Sequence, residues 1–202
     1  NLYFERHDGA AVTCDDFLAA LADANDFDLS SFTGWYSQAG TPELTASRVT
    51  TDDDQAFAIE FTQNIPETMA KTPRLPLPIP VRLGLVGDDG AIVPFRLSDD
   101  APYLDDQVIL VNGKTHLQPI SPASSGKIVP SLLRNFSAPV ILKDDLSSSE
   151  RLHLMAHDTD MFNRWDAAQT LLADQILAIA NDPKYGVDET AIAALAKAYA
   201  NS

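Results

Sequence analysis

A β-sandwich flanked by α-helical segments at both ends is the fold this sequence predicts, and three observations predict it. Apolar residues alternate with polar ones through the middle of the chain, most regularly at Ile79, Val81, Leu83 and Leu85. The period changes from helical to alternating at Thr41 and returns to helical at Ser147. Turn pairs, Asp89-Gly90, Asn112-Gly113 and Ser125-Gly126, punctuate the alternating stretch. About seven short strands at such intervals make an immunoglobulin-like sandwich of roughly 100 residues.

The elements follow in order. Residues 13–25 read as a helix: Thr13 can cap it, Asp16 suits a capping box, and Phe17, Leu18, Leu21 and Ala24 share one face. A second helix over 29–38 carries Phe32, Trp35 and Tyr36 and stops before Gly40 and Pro42. Strands are expected around Leu44 and Ala46, around Phe57, Ile59 and Phe61, and at 79–85, 91–95, 107–111, 116–120 and 138–143. The segment Thr72 to Pro80, with Pro73, Pro76, Pro78 and Pro80, should run extended into its strand. Asn112-Gly113 lies between two alternating runs and predicts a hairpin. Ser147 with Glu150 forms another capping box. A long helix over 162–180 follows, carrying Trp165, Leu171, Leu172, Ile176 and Ile179. Asp188 can cap a last helix with Ile192, Leu195 and Tyr199.

Composition narrows the function classes. The chain has 202 residues, enough for one large domain or two small ones. Its net charge of −15 argues against nucleic acid and anionic membranes as partners, since both need a basic surface. No apolar run is long enough to span a bilayer. The single Cys14 cannot form an internal disulfide, which is compatible with a reducing compartment. There is no signal-peptide pattern and no initiator Met, as expected of an excised piece. Asn1-Leu2-Tyr3-Phe4 matches part of a protease-site tag, but Glu5 follows and the text continues, so we read it as native.

Several constellations invite a chemical reading. His153 and His157 stand at i and i+4, the ligand spacing of a zincin helix. Leu154 follows the first histidine where a zincin needs Glu as its proton acceptor, so we read two ordinary histidines on a helix face. Asp158 and Asp160 are expected to end one helix and start the next. Arg6-His7-Asp8 reads as an exposed loop with a local ion pair, because neighbours in sequence point apart and no nucleophilic serine motif exists. Cys14 opens a helix, which can lower a thiol pKa, but no general base is at hand, so it reads as a packed or half-buried thiol. The acidic clusters Asp52-Asp53-Asp54, Asp88-Asp89, Asp99-Asp100, Asp105-Asp106 and Asp144-Asp145 read as solvated turns. None matches an EF-hand loop. Glycine-rich phosphate loops and a base-stacking aromatic platform are both absent from the sequence. We therefore assign no catalytic, cofactor-binding or metal residue.

Three blocks carry a resemblance. The first runs from Leu2-Tyr3-Phe4-Glu5-Arg6-His7-Asp8-Gly9 through Val12-Thr13-Cys14-Asp15-Asp16-Phe17 to Trp35-Tyr36-Ser37-Gln38-Ala39-Gly40-Thr41-Pro42. The others are Arg134-Asn135-Phe136-Ser137-Ala138-Pro139-Val140 and Phe162-Asn163-Arg164-Trp165-Asp166-Ala167-Ala168-Gln169. Together they resemble the bacterial aminopeptidase N family, zinc exopeptidases of the gluzincin type. The middle block resembles the last-strand signature of that family's sandwich, and the strands between 45 and 130 match only in pattern. The resemblance implies that residues 1–40 end the thermolysin-like catalytic domain, 41–145 form the β-sandwich, and 146–202 begin the C-terminal helical domain. It implies a parent that removes N-terminal residues from peptides in the bacterial cytoplasm, using zinc held by H-E-x-x-H and a distant Glu, with a G-x-M-E-N loop for the substrate amine. None of those motifs occurs in this chain, so no catalytic residue carries over. The helical faces with Phe17, Leu21, Phe32 and Trp35, and with Trp165, Leu172, Ile176 and Ile179, would be exposed without the rest of the parent and could drive self-association. The competing reading is a non-enzymatic sandwich module that binds protein or glycan. An H-E-x-x-H motif encoded upstream in the same gene would separate the two.

Overall fold

The structure, a computed structural model, describes residues 1–50, 56–64, 75–181 and 189–200. The cluster Asp52-Asp53-Asp54, Pro73 and the expected cap Asp188 lie outside the described residues. Helices α1 (Leu2–His7), α2 (Cys14–Asn25) and α3 (Gly34–Ser37) precede the strands, with a 3-10 turn at Ser30–Thr33 leading into α3. The expected capping box is in place on α2: the Thr13 side chain accepts from Asp16 N, and the Asp16 carboxylate accepts from Thr13 N. The second helix is shorter than the periodicity suggested, a 3-10 turn plus a single α-helical turn. Gly34 lies inside it and weakens helix propensity.

Among the described residues, eight strands form two sheets. The larger has β4 (Phe95–Arg96), β6 (Thr115–Pro122), β2 (Phe57–Asn64), β1 (Glu43–Thr50) and β8 (Ile141–Asp144) in that order. All its pairs are antiparallel except β1 with β8. The smaller sheet has β5 (Asp106–Val111), β3 (Ile79–Gly87) and β7 (Ile128–Leu132), all antiparallel. Inward positions fall where alternation places them: Leu44, Ile59 and Phe61 from one sheet meet Ile79, Val81, Leu83 and Leu85 from the other, each at most 1% exposed. Gln63 is buried in this core with both amide ends satisfied, Nε2 donating to Leu77 O at 2.7 Å and Oε1 accepting from Leu77 N at 3.0 Å.

The strand reading needs correction at three places. Asn112-Gly113 does form a turn, with Gly113 at φ +81°. However, β5 pairs with β3 and β6 pairs with β2, so the turn arches between sheets and is not a hairpin. Strand β7 had no sequence signal because Pro130 interrupts it; Pro is tolerated here because β7 is an edge strand. The block Arg134–Val140 is also not itself a strand. It begins as a 3-10 turn at Arg134–Phe136 and leads into β8 at Ile141.

Among the described residues, three helices follow the strands: α4 (Ser148–His157), α5 (Met161–Asn181) and α6 (Glu189–Ala200). Ser147 and Glu150 form the expected capping box. The helices lie over the outer face of the smaller sheet, where Val86 and Val129 pack with Leu154, Met155, Ala167, Leu171 and Leu195. Trp35, expected on a face turned away from the sandwich, packs against the sandwich core and donates from Nε1 to Pro78 O at 2.9 Å. Phe17, Trp165, Leu172 and Ile176 are exposed, as their helix faces implied.

Candidate functional site

The most elaborately built place in the molecule is the junction between the smaller sheet and helices α4 and α5. Gly84 on β3 and Ser131 on β7 are register partners facing the helices. Neither has a side chain large enough to fill the space above them. Arg134 fills it instead: a Cβ built on Gly84 would fall 2.9 Å from its Cδ and Cζ. The Arg134 side chain is 7% exposed, and its partner Asp158 is 0% exposed at 3.0 Å. Asp158 also accepts from Ser131 Oγ at 2.5 Å and from Asp160 N at 2.9 Å. Arg134 donates further to Thr159 Oγ1. Asn163 Nδ2 donates to Ser131 Oγ at 2.7 Å and Leu132 O at 2.8 Å. Asp160 accepts from Asn135 N at 2.7 Å and caps α5 by accepting from Asn163 N at 2.9 Å.

The turn that delivers Arg134 is itself unusual. Leu133, Asn135 and Phe136 all have left-handed backbones, at φ +56°, +55° and +50°. Such conformations in bulky residues persist where surrounding contacts over-determine them. Here the Arg134 ion pair, the Asn135 N–H bond to Asp160, and the edge-on packing of Phe136 against Phe162 at 5.4 Å hold the turn. Two of the blocks quoted from sequence, Arg134–Val140 and Phe162–Gln169, therefore meet in space.

A second clamp lies at the end of β1 and β8. Arg48 binds Asp145 at 3.1 Å and Glu150 at 2.6 Å, and Arg151 binds Asp144 at 2.6 Å. Burial pushes the Glu150 carboxyl upward, but hydrogen bonds from Arg48 and Ser147 outweigh it and hold the group at about 2. The Asp144-Asp145 pair is thus not a solvated turn: the Asp144 side chain is 10% exposed and fixed to α4. Asp88-Asp89 and Asp99-Asp100 do lie in turns.

The remaining candidates are dispersed. His153 and His157 stack at 4.8 Å on α4 and dock the turn after β3. Nε2 of His153 is 2.7 Å from Gly87 O, and a Cβ on Gly90 would fall 2.7 Å from Cγ of His157. Among the described residues no three His, Cys, Asp or Glu side chains are grouped to hold a metal. Arg6 lies in a helix, not a loop, and pairs with Asp23 at 2.5 Å instead of with Asp8. Cys14 is exposed, not packed. Sequence reasoning missed Gly84, Ser131, Arg134 and Asp158 as a unit. The available signal was a glycine inside the most regular strand, which marks a close approach. No described helix is long and apolar enough to cross a membrane.

Comparisons with known proteins converge on one lineage. The chain is 37% identical over 180 residues to aminopeptidase N of Escherichia coli (strain K12), which covers 87% of this chain and 20% of that protein. It is 39% identical over 177 residues to aminopeptidase N of Caulobacter vibrioides, covering 88% and 19%. The crystal structure of Legionella pneumophila aminopeptidase A in complex with aspartic acid matches with a TM-score of 0.77 at 28% identity, over 95% of this chain and 20% of that one. The chain thus spans about a fifth of the length of these relatives. Residues 148–202 match a domain of unknown function described as ARM repeats, DUF3458_C. Residues 40–145, just over half the chain, match the domain of unknown function DUF3458 with an Ig-like fold, so the chain belongs to that family and is homologous to a region of bacterial aminopeptidase N.

Proposed function

We propose that this chain is the connecting segment of a zinc-dependent aminopeptidase that removes N-terminal residues from peptides in the cytoplasm. Residues 1–40 complete the catalytic domain, 41–145 form the sandwich, and 146–202 begin the C-terminal helical domain. The segment contributes no catalytic group; it sets the angle between sandwich and helices. The exposed faces of α2 and α5 are contact surfaces for the rest of the polypeptide, or for a second copy when this chain stands alone.

The observation that carries this reading is the Arg134–Asp158 network. A buried ion pair adds little net stability, but its partners accept it in one geometry alone, which suits a joint whose task is orientation. The similarity to aminopeptidases supports the parent activity. The test has two arms. Incubated with zinc and an amino-acid anilide, the chain alone should give no chelator-sensitive turnover, whereas the full-length gene product should. In the full-length protein, Asp158→Ala should lower kcat/KM with no change in bound zinc. Turnover by the chain alone, or an unchanged kcat/KM in the variant, would overturn the proposal.

A further inference from the structure

The smaller sheet ends at β5, and the direction of its backbone groups can be derived. Arg82 N donates to Ser137 Oγ at 2.9 Å, on the β7 side of β3. Backbone groups on one strand alternate in direction, so Ile79, Val81 and Leu83 point toward β5. Their register partners are Val111, Ile109 and Gln107, which point back. The N–H and C=O groups of Asp106, Val108 and Leu110 therefore face outward. Among the described residues, no backbone or side-chain hydrogen bond reaches them. Gln107–Val111 contains no Gly, Pro or charge, and Val108 is 51% exposed. Unpaired, apolar edges of this kind are what natural sheets usually blunt.

We propose that the β5 edge is a docking site for an extended polypeptide segment, added antiparallel as a further strand. The open N–H and C=O groups specify strand geometry, and the side chains specify the occupant. Positions opposite Leu110 and Val108 should be apolar, because those side chains share the outer face of the sheet. The position opposite Asp106 should be basic: Arg82 stands 3.7 Å from that carboxylate and leaves it 41% exposed. A second copy of the chain is the poorer occupant. Symmetric pairing about Val108 would set each Asp106 against the other copy's Leu110 and bring two chains of charge −15 together.

The probe is a short peptide of the pattern Ile-Thr-Val-Thr-Lys, titrated into the chain while backbone amides are followed by NMR. Binding should protect the amides of Val108 and Leu110 from exchange and leave Ile109 unchanged, since Ile109 is already paired. Val108→Pro removes the outward donor without touching the β3 ladder, and should weaken binding by about tenfold or more. If that variant does not fold, the same peptide N-methylated on its edge-facing amides should show the same loss. Equal binding by a scrambled peptide, or no protection at Val108 and Leu110, would overturn the proposal. So would a dimer seen by sedimentation without peptide in which the amides of Val108 and Leu110 are already protected from exchange.

Discussion

The two faces of the three-stranded sheet are buried differently, the inner by apolar packing alone and the outer by an apolar cluster joined to a polar network. The inner face presents Ile79, Val81, Leu83 and Leu85 to apolar partners such as Phe61 and Phe95, all essentially inaccessible to water. The outer face sets Val86 and Val129 against apolar residues of the helices, but it also presents Gly84 and Ser131, and the space above these two holds Arg134, Asp158 and Asn163. Apolar packing is non-directional and tolerates repacking, so the inner face secures stability. A hydrogen-bonded ion pair is directional, so the outer face fixes how α4 and α5 sit on the sheet. One sheet thereby meets apolar side chains alone on one side and a buried ion pair with its hydrogen-bond partners on the other.

The largest effect should come from the inner face. Leu83→Asp places an unpaired carboxylate where exposure is 0%, and should cost more than about 4 kcal/mol in urea unfolding. A loss under about 0.5 kcal/mol, the level of a surface change, would mean the inward face is misassigned. The outer face comes next. Asp158→Ala strands the Arg134 charge and should cost about 3 kcal/mol, whereas Arg134→Met combined with Asp158→Leu should recover most of it. Equal losses in the single and double variants would show that the space, not the pairing, matters there.

The Glu150 clamp sharpens the contrast through pH. Its folded-state pKa of about 2 lies below the ordinary 4.5, so its stabilisation is fully present above 4.5. It is lost as pH falls from there through about 2. Glu150→Gln should flatten this acid limb of the stability curve; an unaltered limb would remove Glu150 from the account. The smallest effect should be Ser147→Ala, about 1 kcal/mol from the lost helix cap, read from the same unfolding curves.

Features governed by neighbouring residues were legible in the sequence. The caps Thr13-Asp16 and Ser147-Glu150, and the expectation that Asp158 ends α4 while Asp160 starts α5, depend on backbone groups within a few positions. The inward set Ile79, Val81, Leu83 and Leu85 follows from the two-residue period of a strand. Tertiary structure decided the rest. Asn112-Gly113 dictates a turn but not whether its flanking strands pair with each other; competition among distant strands sent β5 to β3 and β6 to β2. Likewise Arg134 and Asp158, 24 residues apart, become partners because Gly84 leaves room for the guanidinium and burial leaves neither charge another place to go.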